Sequence, residues 1–518
     1  MTTSVFVTNL VWVLLFANWL AEWNWREKFA GFKENRLLHA VLAMAAVHLL
    51  WMAGTENLLY GLYDLQKKLP LLGIPLVVLT TRPLTRRESQ TVGFCYLGTV
   101  LTVSVIGLVR YLTIEDLPYR DIIPYISHIR FGLHICFSVI LLAYMTLKSG
   151  TVEIFPRVSR RLLRIVAATA GLWLTAYLLL MHAYTGIIIL LVLCLVLPIA
   201  YRHRIDRKIR RATLAVGITL WLTAGLATAY YHHEYYTLQP LSIQPTVAVT
   251  ANGNPYTHGD DGMVENGNYV SRYICEQELR SEWSKRSDYP IDSLTPVGYP
   301  VYPALVRYLN ALGTTKDSAG MALLQPADVQ AIEQGIANPV YNQKGARKLF
   351  YVLFYEHENY RCFHRVRDFS TLQRIELWKH GWQVFRAHPL FGVGTGDGVD
   401  SLQQSLRESD SPLADSGMHL HNQFLTFLVA FGLVGFLLIA FAFILAVVKS
   451  RSCRSILFTA WMCITLLSFL SDDTMETLAG ITFVALGYSL LANRNENDND
   501  NQNQNDNENQ NENGISHS

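Results

Sequence analysis

Two short stretches of this 518-residue chain concentrate side chains able to move protons or hold anions. The first, HLHNQFLTFLVAFGLVG, runs from His419 to Gly435 and sets two histidines and an asparagine directly before a long apolar run. A histidine such as His421 works as a general base near neutral pH. Gly432 and Gly435 stand at GxxG spacing, and small residues there let another helix pack closely and fix the histidine end. Taken alone, a polar helix start needs no function. The second stretch, RDFSTLQRIELWKHGWQVFRAHPLFGVGTGDG, carries Arg367 and Arg374 and ends in a glycine turn. Its glycines do not form GxGxxG, no Walker lysine follows, and no βαβ unit surrounds them, which excludes a nucleotide loop. Such a turn either brings backbone N–H groups close to an anion or is a plain loop. A third stretch, SHIRFGLH, puts His128, Arg130 and His134 inside or at the edge of an apolar run. An arginine there is costly and faces a partner or a cavity. His182 and Tyr184 mark a short turn between two further runs.

The elements that must position these residues are apolar. The chain is 51% hydrophobic and 16% charged, with a mean hydropathy of +0.19. Its apolar residues cluster in runs near the roughly 17–25 residues that cross a bilayer. The runs lie at about 4–21, 37–53, 69–80, 91–112, 122–147, 162–181, 185–201, 212–231, 421–448, 455–471 and 475–492. They predict an all-α polytopic membrane protein of about eleven transmembrane helices, ten to twelve allowing for the short third run. The first run has no basic region or small-residue cleavage site before it and reads as a retained helix. A net charge of +2 argues against a nucleic-acid partner. The seven cysteines include no CxxC pair, so nothing in the sequence calls for a metal.

Basic residues fill alternate connections: Arg26, Lys28, Lys33 and Arg36; Arg82, Arg86 and Arg87; Lys148, Arg157, Arg160 and Arg161; the YRHRIDRKIRR segment; and Lys449, Arg451 and Arg454. The second, fourth, sixth and tenth connections together hold Lys67, Lys68 and Arg120, and the long eighth connection, 232–420, translocates largely regardless of its own charge. Positive charge stays in the cytoplasm, so the basic connections are expected inside and the N-terminus outside. The expected organisation is an N-terminal bundle over 1–231, a large, mostly helical outer loop over 232–420, C-terminal spans over 421–492 and an Asn-rich disordered tail over 493–518. Cys275 and Cys362 both fall in the outer loop, either as a disulfide or as two free thiols.

HNQFLTFLVAFGLVG resembles the H-[NSQ]-x9-G-x-x-[GTY] pattern characteristic of bacterial O-antigen ligases, with His421, Asn422, Gly432 and Gly435 in its positions. RIELWKHGWQVFRAHPLFGVGTGD looks like that family's Arg-xxx-Trp helix and PLxGVGxG turn, matched by Arg374, Trp378, Pro389, Leu390, Gly392, Gly394 and Gly396. The family also includes O-antigen polymerases and protein O-oligosaccharyltransferases. The resemblance implies a metal-independent, cofactor-free glycosyltransferase of GT-C-like fold in the bacterial inner membrane, with its large loop in the periplasm. The donor it implies is a glycan on a polyprenyl diphosphate, and the acceptor a hydroxyl of lipid A-core or another glycan or protein. His421 and Arg374 are the implied catalytic pair. Asn422, Arg130, Arg367, His128 and Tyr184 are expected to bind substrate. Many family members carry an arginine where this chain has Tyr184, which supplies no charge; Arg130 is the expected substitute. A transporter of lipid-linked sugars predicts internal repeats, which this sequence does not show. A receptor-like protein whose loop binds without chemistry is a third class.

Overall fold

The computed structural model describes residues 5–115, 117–147, 154, 157–343, 345–367 and 369–492. The expected tail over 493–518 lies outside the described residues, as does Lys148. The chain divides into two compact units, one made of Met1–Ile218 with Glu376–Ser518, the other of Thr219–Ile375.

The first unit is a helical bundle. Each apolar run read from the sequence contains a helix: Val5–Ala21, Arg36–Leu50, Leu58–Thr80, Arg86–Thr113, His128–Leu147, Arg160–Leu180, Tyr184–Ala200, Arg207–Tyr236, Gln423–Lys449, Ile456–Phe469 and Leu478–Ala492. The 122–147 run turns helical only at His128, and Arg207–Tyr236 runs past Ile218 into the second unit. Among the described residues, six helices are long and apolar enough to cross a membrane, and four shorter apolar helices accompany them. The chain is thus a polytopic membrane protein. Its helices bury one side against each other, with Phe131, Leu174, Ile189, Phe458, Trp461 and Ile481 almost fully enclosed. They leave large apolar side chains such as Leu172, Leu226 and Phe441 exposed on the other side, as suits helices whose solvent is lipid. The 69–80 run proves to be the second half of Leu58–Thr80. Its first half holds Asp64, Lys67 and Lys68, which depress the local hydropathy and hide that part of the helix. A further helix, Trp25–Glu34, occupies the first basic connection.

The contacts that matter for the site are few. Gln423–Lys449 packs along Arg36–Leu50, Leu478–Ala492 along Leu58–Thr80, and Ile456–Phe469 against His128–Leu147 and Tyr184–Ala200. Residues 376–420, expected within the large loop, belong to the bundle unit.

The unit Thr219–Ile375 has a core of its own, formed by Leu279, Trp283, Leu305, Leu309, Met321 and Ile332 around a short antiparallel pair, Val264–Glu265 with Asn268–Tyr269. Glu265 is fully buried there and takes both nitrogens of the Arg307 fork, Nε and Nη2, at 2.9 Å each. Asn338 donates to the same carboxylate at 2.7 Å. The guanidinium carbon lies 3.6 Å from the centre of the Tyr355 ring. Cys275 and Cys362 are free thiols, not a disulfide. Removing one partner of a buried ion pair leaves an uncompensated charge. Glu265→Ala is therefore expected to destabilise this unit by about 3–5 kcal/mol. Limited proteolysis of the full chain checks this, with faster cleavage expected within residues 219–375.

Candidate active site

His421 sits just before Gln423–Lys449 in a left-handed backbone conformation, at a φ of 51°. Asn422 is the N-cap of that helix: its side-chain oxygen accepts from Leu425 N at 3.1 Å. Its amide nitrogen donates to Leu470 O at 3.4 Å. The asparagine expected to bind substrate thus has both ends of its side chain engaged by protein. The cap answers a helix N–H that would otherwise have no partner. Just upstream, the Trp378 indole donates to Leu420 O at 2.8 Å, so the tryptophan of the Arg-xxx-Trp pattern anchors the residue before His421.

The partners of His421 come from a turn that sequence reading passed over. Asp472 and Asp473 lie between Ile456–Phe469 and Leu478–Ala492, each 4% exposed. His421 Nδ1 is 3.4 Å from Asp473 Oδ1 and 3.7 Å from Asp472 Oδ1. His419 Nδ1 is 3.9 Å from the other oxygen of Asp473. Arg130 Nη2 reaches Asp472 Oδ2 at 3.3 Å. The arginine expected to substitute for the one missing at Tyr184 is therefore already paired with a carboxylate, though its Nε is buried without a partner. Thr185, next to Tyr184, approaches Ser471 with its hydroxyl at 3.4 Å. The Tyr184 ring stacks on His182, which meets Tyr119 edge-on, and Tyr119 also meets His128. Arg374 and Arg367 lie in the other unit, on and just before Ser370–Ala387.

The electrostatics of this cluster follow from its composition. Contact with Asp472 and then Asp473 pushes the His421 imidazole up to about 9, against an opposing effect of burial. Burial alone would raise Asp473, but the His421 imidazolium outweighs it and holds that carboxyl below the usual carboxylate range. Two carboxylates thus face one imidazolium and one guanidinium. The donor atoms of His421, Asp472 and Asp473 lie within 4.8 Å of one another, close enough for a cation; Arg130 and the protonated ring already supply the compensating charge. With Nδ1 turned to the carboxylates, Nε2 is the ring nitrogen left to accept a proton.

The glycine turn has a structural role of its own. Gly432 has a φ of 61° inside Gln423–Lys449 and breaks the helical ladder there. The freed groups pair with the turn after Ala387. Val393 N donates to Val429 O at 3.0 Å and Gly394 N to Ala430 O at 2.9 Å. In return, Leu433 N donates to Pro389 O at 2.8 Å and Val434 N to Leu390 O at 3.0 Å. The N–H groups of Val393 and Gly394 are thus occupied by the helix, so the anion-holding alternative for the turn does not apply to them. A Cβ on Gly392 would stand 2.6 Å from Gly432 N, and one on Gly432 would stand 2.5 Å from Gly392 N. The close partner of Gly432 is this turn, not another helix; Gly435 faces the Trp51 ring, at the end of Arg36–Leu50. Asp397, at the end of the turn, caps Glu56 N and Asn57 N at 2.8 Å each.

Histidine, Trp-bearing helix, glycine turn and broken helix form one continuous piece of chain. Residues 335–440 match the O-antigen ligase family model. No curated protein matches the chain. Members of the O-antigen ligase family transfer lipid-linked glycans. The matched region encloses Arg367, Arg374, Trp378, the glycine turn, His421 and both glycines of the following helix. It does not include Arg130, Asp472 or Asp473. Those carboxylates carried one sequence signal, an acidic pair between two apolar runs with no basic neighbour in the same turn.

Two outcomes are expected. Folding raises His421 above its ordinary 6.5, so the pairing stabilises the fold fully below that pH and is lost as pH rises through about 9. The neutral ring, which alone accepts a proton, grows in over the same range. Carbethoxylation of His421, followed by mass spectrometry, should show its midpoint near 9, and Asp473→Asn should move that midpoint down. Gly432→Ala forces a side chain into a left-handed conformation against the turn and should cost about 1–3 kcal/mol or more, read as a lower melting temperature.

Proposed function

We propose that this protein is a glycosyltransferase that moves a glycan from a polyprenyl diphosphate to a hydroxyl of lipid A-core at the periplasmic face of a bacterial inner membrane. The observation that carries the reading is the placement of the one histidine of the O-antigen ligase pattern, His421, against two buried carboxylates. In its neutral form a ring whose Nδ1 faces carboxylates takes a proton at Nε2, and the carboxylates stabilise the cation that forms. The acceptor oxygen attacks the anomeric carbon as its proton passes to His421. The bond from that carbon to the diphosphate oxygen breaks, the electron pair leaves with the lipid diphosphate, and the configuration inverts.

A diphosphate leaves readily when its charge is held, so the site needs cations beside the base. Arg374 is proposed for that role, with Arg367 in support. Arg130 contributes through the part of its guanidinium that Asp472 does not use. His128 and Tyr184 are proposed to bind the sugar, and Asn422, as cap of the following helix, to keep His421 in place for it. The proposed transfer runs without a metal or cofactor, with Arg130 beside Asp472 supplying a fixed positive charge next to the two carboxylates. The concentration of Lys and Arg in alternate connections supports a periplasmic position for this end of the bundle, in a GT-C-like arrangement of about eleven spans.

Deleting the gene and examining the envelope glycans tests the reading. Loss of all glycan from lipid A-core is expected. His421→Ala, at normal expression, should restore none of it. Core capped by a single repeat would instead indicate a polymerase, and loss of protein-linked glycan with intact lipopolysaccharide a protein O-oligosaccharyltransferase. Full rescue by His421→Ala would remove the catalytic base from the account.

A further inference from the structure

Behind His421 lies a second set of buried charges that the proposed reaction does not use. Lys68, on Leu58–Thr80, is 7% exposed. Its ammonium is 2.5 Å from Asp64 Oδ2 and 3.0 Å from Glu476 Oε2. The other oxygen of Glu476 accepts from Gln423 Nε2 at 3.0 Å. Gln423 is fully buried, and its own oxygen accepts from Met475 N at 2.8 Å. A cavity of about 50 Å³, lined in part by His48, Asp64, Lys68, His419 and Glu476, adjoins these groups. Burial and the charges around it act on Glu476 in opposite directions: burial raises its carboxyl, while Lys68 and then Gln423 bring it down to about 2.

The placement of this knot matters more than its charge. Glu476 ends the same short turn that begins at Asp473, and its N–H donates to Asp473 O at 3.0 Å. Gln423 opens the helix two residues after His421. Both halves of the His421–Asp473 contact are therefore tied, within three residues, to one buried ion cluster. Lys68 belongs to neither half and reaches the site from a helix more than three hundred residues away in sequence. A lysine at the wall of an apolar bundle is expensive to keep. A packing role alone would be met by an apolar residue, since replacing a whole buried ion cluster with apolar groups is often neutral. What the ion cluster adds is direction: fixed donors and acceptors that hold the 472–476 turn and the start of the 423–449 helix in one register.

We propose that Lys68 is a positioning residue for the His421–Asp473 pair, acting through Glu476 and Gln423. It touches no reacting atom. Its significance rests on the reading of His421 as the proton acceptor, whereas its structural effect does not. Without Lys68, Glu476 is left buried and uncompensated beside Asp64, and the 472–476 turn is released from its tie to the helix start. His421 and Gln423 lie within residues 335–440 while Asp64, Lys68, Asp473 and Glu476 lie outside, so the matched region depends on a residue from the N-terminal bundle for its geometry.

The test uses the full-length purified protein and reads two things. Hydrogen exchange over residues 470–477 should speed up by about tenfold or more in Lys68→Met, while the 423–449 helix beyond its first turn keeps its protection. Removing both charges in Lys68→Met/Glu476→Gln should return much of the lost protection. Where Lys68→Met fails to fold, Lys68→Arg, which keeps the charge with a different reach, gives the same comparison. In membrane vesicles supplied with their own lipid-linked glycan, the transfer rate per folded molecule should drop by about a hundredfold in Lys68→Met, with donor binding unchanged. Exchange at 470–477 equal to wild type in each single variant that folds would overturn the proposal. So would exchange that rises uniformly through the bundle. If the exchange result appears but wild-type vesicles transfer no glycan, the positioning stands and the proposed function fails.

Discussion

A charge buried among apolar helices must be met by an opposite charge at close range, because removing it from water costs several kcal/mol. That constraint organises this protein around one end of its bundle. Asp472 and Asp473 are met by Arg130 and His421, and Lys68 is met by Asp64 and Glu476. All but Lys68–Asp64, which lies within one helix, join segments distant in sequence, and Gln423 couples the two sets. The same pairs that satisfy electrostatics therefore bring residues 64–68, 130, 419–423 and 472–476 to one place. The proposed chemistry uses His421 through the ring nitrogen that does not face the carboxylates.

The backbone obeys a parallel rule. A helix broken inside a bundle exposes N–H and C=O groups that lipid cannot answer. Gly432 makes such a break, and the Pro389–Gly394 turn answers it with four hydrogen bonds. Two glycines standing where neither tolerates a Cβ make the junction close enough to form. The motif positions that look like a phosphate loop are thereby explained as the splint of a broken helix. This splint and the Trp378–Leu420 bond fix the helix carrying His421 on both sides of that residue.

Much of the fold was legible in the sequence because lipid-facing helices must be apolar along their length. The missed portion, the first half of Leu58–Thr80, is where Asp64 and Lys68 interrupt that pattern, and their compensation by Glu476 is invisible in one dimension. His421 was legible because it stands at the edge of a long apolar run with glycines at a regular distance. Its carboxylate partners were not, because SDDTMET reads as a polar link between two short helices and nothing local points back to residue 421. Arg130 was read as a costly residue facing a partner or a cavity, and it meets Asp472. Asn422 was marked for substrate although helix capping accounts for its side chain, a case where a local rule was enough.

Residues 335–440, which match the O-antigen ligase model, are thus held by an ion-paired support that comes mostly from outside them. The most direct measurement is a cryo-electron microscopy structure of the protein with its own lipid-linked glycan bound. The account requires the anomeric carbon to face His421 Nε2 across a gap open to an acceptor hydroxyl, with Nδ1 still on the Asp472–Asp473 pair and guanidinium groups on the diphosphate. A donor whose anomeric carbon lies away from His421, or an imidazole turned so that Nε2 meets the carboxylates, would contradict it.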